Sequence, residues 1–280
     1  MWLFRKKNKS KFTEEGFLSS GMDRLSKECR RRYLEWFTLC EDLNRYCVQL
    51  SHNITIHDNS RQESLVAALF FRLLSIFESS VILAERCIFN ETQILLRTCI
   101  ENLFILRAIA NDESMADRYY EQNYLEKLRN LRLIRRYRTE KLYQGLDLGK
   151  RIEELEDTVN KKGIKKLTVA DWANKAGLND FYATAYPVFS WTTHSSVIDI
   201  GHYISGKSDE VFEEVSWSPQ LAEMDKLLLT GVECVVTGLR SINKLFSLGA
   251  ENDIEEYSNR YHQLANTLSN QDKSIEPTSL

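Results

Sequence analysis

From Met22 to Gln144 the chain contains neither a glycine nor a proline, and its first proline is Pro187. Glycine supplies the left-handed backbone of tight turns, and proline breaks regular hydrogen bonding. A sheet-rich domain needs such punctuation about every ten residues. A run this long without either leaves one fold class. The chain is expected to be an all-α bundle of long antiparallel helices with a central apolar hairpin and no sheet.

The apolar periodicity places the helices. Leu25, Cys29, Tyr33, Trp36, Phe37, Cys40, Leu43 and Cys47 recur at three- and four-residue steps and predict a first helix over 22–51. "SHNITIHDNS" reads as a loop. A second helix is expected from about Gln62 to Cys87. Asn90 followed by Gln93 reads as a cap opening a third helix, which runs to about Ala110. The second and third helices then form the hairpin. Asp112 or Ser114 caps a fourth helix running to about Gln144. Two short helices follow, "KRIEELEDTVNKKG" and "TVADWANKAG". Asn179 opens a helix that Pro187 kinks and that continues to about Ile204. Ser218-Pro219 starts a central apolar helix, and a polar helix spans about 253–268. The domain reading is a basic tail over 1–20, a helical bundle over 21–249, and a peripheral polar helix with a tail over 250–280.

The 280 residues are 43% hydrophobic and 28% charged, which suits a large folded core and excludes the disordered class. A net charge of -3 excludes general attraction to nucleic acid, so any such contact needs a local patch. The six cysteines show no C-x-x-C spacing and sit among apolar residues, so the expected setting is a reducing cytoplasm. No transmembrane segment is expected, because Arg72 interrupts "LVAALFFRLLSIF". The opening "MWLFRKKNKSK" sets an apolar wedge before five cations, a pattern suited to peripheral membrane contact through residues 1–11 or to a plain basic tail.

The chemistry-bearing residues gather on two helices. In "RTCIENLFILRAI", Arg97 and Glu101 stand four residues apart on one face, amid Ile94, Leu95, Leu96, Ile100, Leu103 and Phe104. A charge in such surroundings needs a partner. In "YPVFSWTTHSSVIDIGHYI", Tyr186, Ser190 and His194 recur at four-residue steps and line one face. One reading is a satisfied ion pair beside a core histidine. The other is a polar pocket lined by all five residues, with Arg97 holding an anionic small ligand or RNA phosphate, and with His194, Arg97 and Glu101 as the catalytic candidates.

An Arg-x-x-x-Glu on an apolar helix, followed some ninety residues later by Tyr-x-x-x-Ser-x-x-x-His, resembles an uncharacterised family of bacterial helical proteins, a domain of unknown function. The matching residues are Arg97, Glu101, Tyr186, Ser190 and His194, and the resemblance covers roughly residues 60–245. It implies an all-α intracellular protein and carries no activity with it.

Other patterns compete. Glu101, His194, Asp199 and His202 have the chemistry of a mononuclear metal site, but no Glu-x-x-His of a di-iron bundle is present. Neither a resident metal nor another cofactor is expected. Arg45 and His52 fit the spacing of helical HEPN ribonucleases, in which an arginine and a histidine of one helix act on the scissile phosphate. That resemblance implies RNA cleavage by a toxin or defence effector. Here the pair lies on the first helix, unlike that family, and 20 arginines with five histidines supply about one such spacing by chance. The fourth helix carries Arg129, Arg132, Arg135, Arg136 and Arg138, either a solvated face or a phosphate-contacting one. The functional expectation is a helical binding or effector protein with a polar pocket. The alternatives are a HEPN-like ribonuclease and an interaction protein, binding a partner or a second copy, whose polar cluster is structural.

Overall fold

The computed structural model describes residues 11–57, 59–137, 147–193, 200, 203–205, 214–215 and 217–273. The helices are α1 (Lys11–Glu15), α2 (Met22–Arg32), α3 (Leu34–Ser51), α4 (Arg61–Glu85), α5 (Phe89–Asn111), α6 (Ser114–Arg136), α7 (Leu148–Lys162), α8 (Val169–Ala176), α9 (Asn179–Thr193), α10 (Met224–Phe246) and α11 (Glu251–Lys273). The chain is all-α. The only extended pairing among the described residues is a two-residue antiparallel ladder, Ile204–Ser205 with Glu214–Val215, too short to form a layer.

The apolar hairpin is present and central. α4 and α5 pack along their lengths, α10 lies against both, and α8 and α9 cover a further face of α5. Phe70, Leu73, Phe77, Leu96, Ile100, Leu103 and Phe104 are buried at this centre. α10 approaches closely because Gly231 and Gly238 face the hairpin. A Cβ on Gly238 would lie 2.6 Å from Leu73 Cδ2, and one on Gly231 would lie 3.1 Å from the Phe77 ring.

Between Met22 and Gln144, where glycine is absent, other residues make the turns. The α4–α5 connection is a Schellman motif: Ile88 N–H bonds to Leu83 O at 3.0 Å and Cys87 N–H to Ala84 O at 2.9 Å. Cys87 takes the left-handed position, at φ 58°. Ser60 opens α4 by accepting from Glu63 N–H at 3.2 Å. Thr168 and Asp171 form a reciprocal capping box that opens α8.

Several boundaries differ from expectation, for physical reasons. The helix expected over 22–51 divides at Tyr33, whose side chain is buried and whose hydroxyl donates to Leu221 O at 2.9 Å. Asn90 is not the cap of α5. The helix starts at Phe89, and the Asn90 amide donates instead to the Tyr203 hydroxyl at 2.8 Å. Ser218-Pro219 does not start α10. That stretch is held extended across the hairpin turn by Gln220 N–H to Cys87 O, 3.1 Å, and the helix begins only at Met224. The helix expected to reach Ile204 does not, since Ile204 belongs to the ladder. Residues 138–144, expected to end the fourth helix, lie outside the described residues.

α4 is the one described helix long and apolar enough, by length and composition, to cross a membrane. One of its faces is nonetheless buried in the bundle, through Val66, Phe70, Leu73, Phe77 and Ala84.

Candidate functional site

The structure brings together three of the five residues of the expected cluster. Arg97 and Glu101 are one turn apart on α5, and α9 lays Tyr186 across them. Arg97 Nε donates to Glu101 Oε1 at 3.1 Å. A terminal nitrogen of Arg97 donates to the Tyr186 hydroxyl at 3.0 Å. That hydroxyl donates onward to the same Glu101 oxygen at 2.9 Å. The three bonds close a triangle, and the guanidinium also lies 5.3 Å from the centre of the Tyr186 ring, a cation–π contact. The Arg97 side chain is 15% exposed and that of Glu101 33%, so the cluster sits at the edge of the core. The second oxygen of Glu101 has no partner among the described residues.

The aromatic surroundings position it. Tyr182 and Tyr186 stack one turn apart on α9, with ring centres 5.2 Å apart, and both lie against Phe104 of α5. Burial pushes the Tyr186 phenol above its usual pKa, with the bond from Arg97 opposing and the Glu101 carboxylate assisting. Tyr186 therefore keeps its proton and serves Glu101 as a donor. Ser190, one turn further along α9, is half-buried. His194 lies outside the described residues, as do Asp199 and His202 of the conceivable metal site. Among the described residues, no three metal-ligating side chains cluster.

One polar contact of the core helix escaped the sequence reading. Arg107, on the same helix, donates from Nε to Ala176 O at 2.9 Å. It satisfies a terminal carbonyl of α8, where a cation is favoured. Burial, then the nearby Arg240, lowers its pKa from the usual arginine value. A backbone carbonyl leaves no mark in sequence, so only the charge itself could have signalled the contact.

The clefts lie elsewhere. One of about 600 Å³ opens between the end of α10 and the start of α11, beside Arg240, Lys244, Glu251 and Glu255. Another of about 600 Å³ lies at the α2–α3 joint, beside Arg31, Arg32, Trp36 and Asp225. Neither includes Arg97, Glu101 or Tyr186.

The competing patterns are also placed. Arg45 is on α3, its side chain 64% exposed and paired with Asp42 at 3.0 Å. His52 caps the end of that helix and is exposed. On α6, Arg129, Arg135 and Arg136 are exposed. Arg132 is taken by Glu156 of α7 at 2.7 Å, and Arg138 lies outside the described residues.

Comparison with known proteins gives one match. The model of a family of unknown function (DUF5677) matches residues 63–211, more than half of the chain and the segment that carries Arg97, Glu101 and Tyr186. Neither a curated protein nor a solved structure matches the chain.

Proposed function

The chain belongs to the DUF5677 family, and from that premise we propose that it is a helical binding protein whose α5–α9 seam recognises an anionic group through Arg97. The carrying observation is the closed triangle of Arg97, Glu101 and Tyr186. A guanidinium held by a carboxylate and stacked on a ring is preorganised, so a ligand need not spend binding energy ordering it. Ser190 and His194 extend the same helix face toward the ligand in this reading. If chemistry occurs there, phosphodiester cleavage suits an arginine with a histidine best. The setting proposed is the bacterial cytoplasm, in keeping with six buried free cysteines.

The test is calorimetric titration with inorganic phosphate, pyrophosphate and a short single-stranded RNA. Binding is expected for at least one of them, with loss in Arg97→Lys and weakening in His194→Ala. Titrations flat for the wild-type chain, or unchanged in Arg97→Lys, would remove the ligand reading.

A second reading has its own observation: the three groups satisfy one another, and neither large cleft reaches them. In that reading the triangle is a clamp fixing the register of α9 on α5, and the chain works as an interaction protein. The HEPN-like alternative draws less support. Arg45 is already engaged by Asp42, and replacing Arg45 or His52 with alanine is expected to leave any toxicity unchanged. Peripheral membrane contact through residues 1–11 stands as a separate proposal. It expects the full chain, and not a chain lacking those residues, to pellet with anionic vesicles at low salt.

A further inference from the structure

α4 carries more apolar surface than its neighbours cover. Its most apolar eighteen residues average a hydropathy of 1.9, yet only 44% of them are buried. The outward side is ordered. Ser64, Ala68, Phe71, Ser75 and Ile82 are all exposed, and at about 100° per residue they form one stripe centred on Ser75. Phe71 is 47% exposed and Ile82 60%. The hydroxyls of Ser75 and Ser79 donate back to Phe71 O and Ser75 O, at 3.0 and 2.8 Å, so they bring no unsatisfied donor to the stripe. The face is therefore small and flat in the middle, with two bulky apolar groups.

Its edges are charged with opposite sign. Arg72 lies along one edge and has no ion pair among the described residues. Glu78 lies along the other and accepts one bond, from Asn44 Nδ2 at 3.0 Å. When two copies of such a helix run side by side and parallel about a two-fold axis, each edge meets the opposite edge of the other copy. Arg72 then stands next to the partner's Glu78, and symmetry makes the pair twice. Insertion of the same face into a lipid bilayer would instead leave both charges without counter-charges in hydrocarbon.

We propose that the outward stripe of α4 is a homodimer interface, in which Ser64, Ala68 and Ser75 permit close approach, Phe71 and Ile82 supply the apolar contact, and the Arg72 and Glu78 edges fix the parallel orientation. The reading is independent of any ligand at Arg97, which lies on another helix.

Sedimentation of the full chain tests it. The wild type is expected to behave as a dimer, and Phe71→Glu as a folded monomer of unchanged helicity. Arg72→Glu and Glu78→Arg each oppose like charges and should weaken association by about tenfold or more. An equimolar mixture of those two variants restores opposite charges and should dimerise nearly as well as wild type, an outcome that misfolding cannot imitate. Ser75→Cys places a thiol near the axis and should cross-link to its own copy under a mild thiol oxidant, since the six native cysteines are buried. A monomeric wild type, a dimer indifferent to Phe71→Glu, or a mixture no better than its separate variants overturns the proposal.

Discussion

Arg97 illustrates how far a charge in an apolar helix can be read before its partners are seen. The four-residue step to Glu101 was legible, because helix geometry alone puts the two on one face. The involvement of Tyr186 was legible as a face of polar groups on a later helix, although nothing in sequence states which way α9 is turned. The hydroxyl's double role, accepting from Arg97 and donating to Glu101, follows only from the packed geometry. Tyr186→Phe removes both bonds and is expected to cost about 1–2 kcal/mol. Glu101→Ala should cost more, about 1–3 kcal/mol. It leaves a largely covered guanidinium without its counter-charge, yet solvent at the one-third-exposed carboxylate moderates the loss. Urea melts give both values. The double variant Glu101→Ala, Tyr186→Phe should fall short of additivity by more than about 0.5 kcal/mol. Strict additivity would show that the triangle does not act as one network.

At the scale of elements, the helices were legible and their ends less so. The periodicity of Leu103, Phe104 and their neighbours located α5, but side chains spent on distant partners decided the boundaries: Tyr33 on Leu221 O, Asn90 on Tyr203. Close approach of helices is equally hidden. Gly231 and Gly238 look like weak points of a helix, whereas each admits the hairpin's side chains. Gly238→Ala improves intrinsic helix propensity by about 1 kcal/mol, but its methyl would meet Leu73 at 2.6 Å in a fully buried layer. Overpacking of that kind costs about 1–3 kcal/mol, so a net loss of roughly 1 kcal/mol is expected in thermal or urea melts. A stabilised variant would mean that Leu73 can move aside. The docking of α11 rests on a different device. Arg260 donates to Asp42 Oδ2 at 2.9 Å, Tyr46 donates to Asp253 at 2.8 Å, and Tyr257 donates to Asp42 O at 3.2 Å. The Arg260 guanidinium bonded to Asp42 holds that carboxyl below its ordinary pKa. Its contribution is present above the ordinary value and is lost as pH falls through the depressed one. Asp42→Asn should remove this acid-side dependence and loosen α11, seen as faster amide exchange there. Because both side chains are about one-third exposed, the global cost should stay near about 0.5–1 kcal/mol.

The whole molecule places the most apolar helix pair at its centre, as the hydrophobic pattern required, and surrounds it with polar helices such as α6, α7 and α11. That arrangement buries many groups that ionise only in alkali. Burial is the leading cause that raises the phenols of Tyr33, Tyr46, Tyr186, Tyr257 and Tyr261 above the ordinary value of 10.0. The thiols of Cys40, Cys47 and Cys234 are likewise raised above 9.0. The Cys29 thiol donates to Ala84 O at 3.5 Å, and its neighbour Cys87 shifts the other way, with the Cys29 side chain as the leading cause. For each raised group the folded chain keeps a proton that the unfolded chain releases. Their contribution is therefore complete below the unfolded values and is lost as pH rises from about 9 through about 10 and beyond. Urea melts at a series of pH values should show unfolding free energy roughly level near neutrality, then falling with a slope that grows as the tyrosines of the unfolded chain begin to ionise. The tyrosinate absorbance of the folded chain should lag behind that of the chain in denaturant over the same range. Stability that stays flat past pH 10, or folded and denatured chains titrating together, would show that these side chains are reached by water and that the bundle is looser than its packing implies.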